Sequence, residues 1–170
     1  MIDVYVNVNY SQGFTPNFPP HRLFMSAVAP SALYQRIAQS LQHQGMMQHL
    51  QAQLLRVEPG CVELALPFSD KVTQQQGGFH GGAIGALADI AGGYAALTVM
   101  PEGMEVVTVE YKINFLSSFQ GGELRATGKV LKAGKRIVVT MAEVVHIDAQ
   151  GQTSSCAVMQ QTLAPVPQTY

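Results

Sequence analysis

An α+β fold, one long central helix wrapped by a curved antiparallel sheet, is what this sequence predicts. Three observations carry that expectation. Residues 74–98, QQQGGFHGGAIGALADIAGGYAALT, pass from turn-forming glycines into a run of small and apolar residues suited to a buried helix. Before it, residues 53–68 alternate on either side of the turn Glu58-Pro59-Gly60, as a hairpin does. After Glu105 the chain alternates in segments joined by short turns, the pattern of an antiparallel meander.

Taken in order, residues 1–30 carry Pro16, Pro19, Pro20 and Pro30 with no sustained period, and read as peripheral. Tyr5, Val6 and Val8 could add an edge strand there, and Met25 is a second possible start. Ser31 is placed to cap a helix bearing Leu33, Tyr34, Ile37 and Leu41 on one side. Gly45 ends or bends it, and Met46, Met47 and Leu50 open a second short helix. The glutamines of this region read as a solvated face. In the hairpin, Leu55 and Val57 precede the turn, and Val62, Leu64 and Leu66 alternate after it. The central helix spans about five turns and is closed by Met100-Pro101-Glu102-Gly103. Val107, Val109, Tyr111, Ile113 and Phe115 then share one strand face, opposite Thr108, Glu110, Lys112 and Asn114. Leu124, Ala126, Gly128 and Val130 form a weaker strand that turns at Lys132-Ala133-Gly134-Lys135. Ile137, Val139 and Met141 share a face of the next, and Asp148-Ala149-Gln150-Gly151 leads into the last, Thr153 to Leu163. The division expected is an extension with a helix over residues 1–45 and one domain over 46–165.

Composition narrows the function. At 47% hydrophobic and 12% charged the chain is globular, and a net charge of −1 offers no broad field for nucleic acid or anionic lipid. Cys61 and Cys156 lack metal-ligand spacing and disulfide density, which fits a reduced, cytoplasmic setting. Residues 77–100 are long enough to cross a bilayer, but Asp89, the glycines and the missing basic flanks argue against insertion. No Ser-His-Asp triad, phosphate loop or metal cluster is assignable, so neither a metal nor a redox cofactor is expected.

Asp89 is the residue that needs explaining. Beyond His80 it is the only ionisable side chain of the helix apart from Tyr94. A carboxylate in such surroundings costs on the order of several kcal/mol unless paired, hydrated or protonated, and a catalytic role is the best reason for it. Its helical neighbours at i−4, i+3 and i+4 are Gly85, Gly92 and Gly93. These glycines leave room either for a ligand or for a closely packed backbone; with the acid among them, a ligand is the reading adopted. At the helix start, Gly81 offers a spare backbone N–H where the dipole favours negative charge. Asp89 lies eight residues on, about 12 Å away at the helical rise per residue. Reacting groups must approach to about 3–3.5 Å, so one helix cannot serve both ends of one reaction. Two antiparallel copies could, and the pattern therefore predicts a two-fold dimer with shared sites.

The run Thr73 to Gly82, TQQQGGFHGG, followed by Leu87-Ala88-Asp89, resembles the PaaI-type hotdog-fold acyl-CoA thioesterases over roughly residues 46–163. The resemblance implies an acyl-CoA substrate, no cofactor beyond it, and a homodimer or dimer of dimers. It implies that Asp89 acts as general base or nucleophile, with the Gly81 N–H polarising the thioester carbonyl from the opposite subunit. His80 is implied to shape the loop, Thr108 to orient water, and Gln74 to stand where other members have Asn. Phe79, Gly82, Gly85, Gly92 and Gly93 are the implied substrate-binding positions. Lys129, Lys132, Lys135 and Arg136 either meet a coenzyme A phosphate or form a solvated hairpin. A non-catalytic acyl-CoA-binding protein of the same fold is the alternative.

Overall fold

In the computed structural model, which describes residues 31–169, a six-stranded antiparallel sheet packs against one central helix. The readings for residues 1–30, including Tyr5, Val6, Val8 and His21, lie outside the described residues. Helix α1 (Ala32–Gln42) begins where Ser31 Oγ accepts the Tyr34 N–H at 3.1 Å, a cap that contributes about 1 kcal/mol. It buries Ile37 and Leu41 in the same core as the rest of the molecule. Arg36 fastens its outer side, donating to the carbonyls of Met104 (2.7 Å) and Met100 (3.4 Å). Helix α2 (Gly45–Leu50) follows, burying Met47 and Leu50.

Strands β1 (Gln53–Glu58) and β2 (Cys61–Pro67) form the expected hairpin, with Gly60 at φ +77° in the turn. A bulge between Leu54 and Arg56 resets the alternation, so Leu54 and Val57 pack inward while Leu55 faces out. A loop leads to α3 (Gly81–Leu97), whose 17 residues are followed by the Thr98 cap. Most of α3 is buried against β2 through β6.

Beyond the helix run β3 (Met104–Phe115), β4 (Glu123–Ala133), β5 (Val138–Ile147) and β6 (Thr153–Pro167). The sheet order is β1-β2-β4-β5-β6-β3. This corrects the simple meander: of the four strands after α3, only β4, β5 and β6 are sequential neighbours. The segment around α3 carries the chain across the inner face, so β3 joins at the far edge on β6, and β4 returns to β2. The β4–β5 turn also falls later than expected, with the Gly134 N–H donating to the Ile137 carbonyl at 2.9 Å. Ile137, Val139 and Met141 do share a face, but the outer one. Val138, Thr140, Ala142 and Val144 are those turned to the helix.

Helix and sheet meet unusually closely at two glycines. A Cβ on Gly128 of β4 would stand 2.1 Å from the Ala91 carbonyl oxygen. One on Gly92 of α3 would stand 1.7 Å from Gln161 Oε1. At Gly128 a side chain would push α3 off the sheet, because the obstacle is backbone, whereas at Gly92 it would displace the Gln161 side chain.

Candidate active site

Two hollows flank α3, and each holds one half of the expected chemistry. The larger, about 550 Å³, is lined along the helix by Asp89, Ile90, Gly93, Tyr94 and Leu97 and across it by residues of β3 and α1. The smaller, about 400 Å³, lies at the helix start between Gly81, Gln74 and the Phe115–Ser118 segment. Asp89 lines only the first and Gly81 only the second. The acid and the helix-terminal glycine thus open onto different hollows of the chain.

Asp89 is half-buried, and its two carboxylate oxygens are treated differently. Oδ1 accepts from Thr108 Oγ1 at 2.7 Å and from Gln161 Nε2 at 2.8 Å. Oδ2 has no hydrogen bond among the described residues. Two donors on one oxygen fix the carboxylate plane and compensate its partial desolvation. Thr108 reaches the acid because β3 is bulged between Thr108 and Glu110. Strict alternation would put its hydroxyl on the face opposite Tyr111 and Phe115. With the extra residue absorbed, Val106, Thr108 and then Ile113 all turn to the helix side, a re-aiming that bulges commonly perform beside active sites.

At the other end, His80 is the N-cap residue of α3. Its Nδ1 accepts the Gly82 N–H at 2.8 Å, and its carbonyl accepts from Ala83 (2.9 Å) and Ile84 (3.1 Å). The Gly81 N–H is left with no partner among the described residues, at the positive end of the helix dipole. The ring of Phe115 lies against Gly81, with Cζ 3.3 Å from where a Cβ would be. Gln74 closes the preceding turn through its backbone (2.9 Å to the Gly78 carbonyl), and its Oε1 accepts the Gln76 N–H. Gln74 lines the smaller hollow.

The other expected positions divide. Gly93 lines the Asp89 hollow. Gly85 has open space where a Cβ would be, with only the Tyr111 hydroxyl at 4.0 Å. Gly82 is exposed, and its N–H is occupied by His80. Gly92 is a correction: it is filled against Gln161 and Thr140 and lines neither hollow. Phe79, 3% exposed, is chiefly a core residue, edge-on to Phe68 at 5.1 Å, with a margin on the smaller hollow. His146 is buried and stacked on Phe119, while His43 and His49 are exposed. Lys129, Lys132, Lys135 and Arg136 are all exposed. Sequence reasoning missed Gln161, a glutamine at an ordinary strand position; only the three-dimensional register brings it to the acid.

Cys156 is not poised as a nucleophile. Burial pushes the Cys156 thiol up to about 11, so it stays protonated at neutral pH, donating weakly to the Ser117 carbonyl (3.8 Å). Among the described residues no group of three His, Cys, Asp or Glu could hold a metal ion. No described helix is long and apolar enough to cross a membrane.

A family model described as the Thioesterase superfamily matches residues 76–151, the span that includes His80, Gly81, Asp89 and Thr108. A Saccharolobus solfataricus protein with a provisional esterase name is 37% identical over 109 residues, 64% of this chain and 76% of its own. The proofreading thioesterase EntH of Klebsiella pneumoniae is 30% identical over 63% of this chain and 77% of its own. The crystal structure of a thioesterase family protein from Silicibacter pomeroyi superposes with a TM-score of 0.77 at 33% identity, covering 80% of this chain and 99% of that one. The E. coli PaaI protein, at 22% identity, shares the fold with a TM-score of 0.71 over 81% of this chain and 95% of its own.

Proposed function

Because this chain belongs to the thioesterase superfamily, as a thioester hydrolase of the PaaI-type hotdog fold, we propose that it hydrolyses an acyl-coenzyme A at a site shared by two copies. Asp89 from one copy would act on a thioester whose carbonyl oxygen accepts the Gly81 N–H of the other. Acting as base, Oδ2 takes a proton from water as the water oxygen adds to the carbonyl carbon. The resulting oxyanion is met by the Gly81 N–H, and its collapse breaks the C–S bond and releases the coenzyme A thiolate. Acting as nucleophile, the same oxygen adds to the carbonyl carbon and expels the coenzyme A thiolate, and water then opens the resulting acyl–Asp89 anhydride to the free acid and the Asp89 carboxylate. The acyl group would run along the Asp89 hollow, beside Gly93 and Tyr94.

The observation that carries this reading is the asymmetry of the two half-sites. One protomer has a carboxylate with a free oxygen in one hollow and a free helix-terminal N–H in another, and neither hollow has both. Two-fold pairing through β3, the long outer strand, would let the end of one helix face the middle of the other. Assembly as a dimer of dimers belongs to the same proposal.

The test is thiol release from a panel of acyl-CoAs by wild type and Asp89→Asn. The variant is expected to lose about 10²- to 10⁴-fold in kcat, the usual range for a positioned base. An undiminished rate in Asp89→Asn would remove the mechanism. Binding of every acyl-CoA without turnover by wild type would remove the substrate class.

A further inference from the structure

We infer that Gln161 on β6 is a positioning residue for Asp89, and that Gly92 is glycine so that Gln161 can reach it. The inference rests on the reading of Asp89 as the reactive carboxylate. Gln161 lies beyond the residues matched by the family model. It is fully buried, at 0% exposure. Its amide nitrogen donates to Asp89 Oδ1 at 2.8 Å and, more weakly, to the Asp89 backbone carbonyl at 3.3 Å. Both partners are acceptors, so only the NH2 end of the carboxamide can face them, and its orientation follows from the chemistry. One group thereby ties the side chain of Asp89 to its own main chain.

The other end of the carboxamide shows what this arrangement costs. Gln161 Oε1 is buried with no hydrogen-bond partner among the described residues, as is the nearby Thr140 Oγ1. A Cβ on Gly92 would stand 1.7 Å from Oε1, 2.8 Å from Cδ and 2.7 Å from Thr140 Oγ1. Real contacts of that kind are not made, so any side chain at 92 would evict the carboxamide. A stable interface would choose otherwise at both places: an apolar residue at 161, beside Met159 and Leu163, and alanine in the helix at 92. Two locally unfavourable choices that converge on one acid mark a site selected for chemistry.

The chemical effect is selection between the two carboxylate oxygens. With Thr108 and Gln161 both on Oδ1, the acid cannot rotate without losing two hydrogen bonds, and Oδ2 is the oxygen presented to the hollow. The Gln161 amide neither gains nor loses a proton near neutral pH, so it remains a donor to Asp89 in either protonation state of the acid, bonding more strongly to the carboxylate.

The test compares wild type, Gln161→Met, Asp89→Asn and the double variant. Methionine keeps the length of the side chain and removes both the donor and the unpaired oxygen. Gln161→Met is expected to lower kcat about a hundredfold, the cost of roughly 1 Å of misplacement, with KM little changed. Its melting temperature should equal or exceed that of wild type, opposite to what a structural role predicts. In an Asp89→Asn background the same change should leave residual kcat unaltered, since Gln161 acts only through the acid. Gly92→Ala, the second variant, should reproduce the kcat loss by displacing the carboxamide. Wild-type kcat in Gln161→Met beside an inactive Asp89→Asn would overturn this inference alone. An equal loss with and without the Asp89 carboxylate would overturn it too. Wild-type kcat in Asp89→Asn would instead bring down the mechanism and this inference with it.

Discussion

At the scale of single residues, the site is a sorting of hydrogen bonds. His80 uses its ring and its carbonyl to satisfy three of the first four helical N–H groups, and the one left over is that of Gly81. Thr108 and Gln161 satisfy one oxygen of Asp89 and leave the other. The donor can be deleted by proline, which lacks the N–H and is tolerated at the first helical position, once the Phe115 ring, 3.3 Å from the Cβ position, shifts slightly aside. His80 already has φ −70° and ψ 134°, the extended backbone that a following proline requires. Gly81→Pro is therefore expected to fold with near wild-type helix content by circular dichroism. Its kcat should fall about 10²- to 10³-fold, as when an oxyanion donor is removed. Retention of the wild-type rate would show that this N–H meets no developing charge.

At the scale of elements, β3 does the most. Its bulge delivers Thr108 to the acid, and its position at the sheet edge leaves 12 residues of strand with one side unpaired by β6. Val107 and Val109 are 49% and 61% exposed on this strand, an apolar edge that a soluble protein ordinarily covers. Val109→Lys is expected to give a monomer by sedimentation and to lose activity in parallel. A dimer of wild-type activity would move the interface elsewhere. Much of this architecture was legible in the chain. The hairpin announced itself by Glu58-Pro59-Gly60, and the helix by its apolar length. Asp89 and Gly81 stood out because each is anomalous among its sequence neighbours. What was not legible depends on contacts far apart in sequence. Bulges at Leu54 and Thr108 shift the alternation by one residue without a composition signal, and the jump of β3 to the far edge is decided by how α3 crosses the sheet. Gln161 is separated from Asp89 by 72 residues, and Gly92 looked like part of a ligand cavity because its occupant comes from another strand.

At the scale of the whole molecule, the separation of the two half-sites makes a prediction that no single-chain mechanism shares. Asp89→Asn and Gly81→Pro should each be nearly inactive alone, yet complement each other when dissociated and reassociated together. In a random mixture half of the dimers are hybrid, and each hybrid has one undamaged site, so recovery should reach about a quarter of the wild-type rate. No recovery despite hybrid formation, followed by mass spectrometry, would place both groups in one chain's site. The glycine contacts of α3 have a further consequence for how such a protein diversifies. With Gly128 against Ala91 and Gly92 against Gln161, the helical floor cannot sink or rise to suit a bulkier guest. Under the proposed function, adaptation to new acyl groups must then be written in the opposite wall, at Ser40 of the first helix, His43 and Gln44 between the first two helices, and Glu105 to Val107 of the edge strand. Relatives that differ in diet should differ there first, while the acid and its glycine neighbour stay as they are.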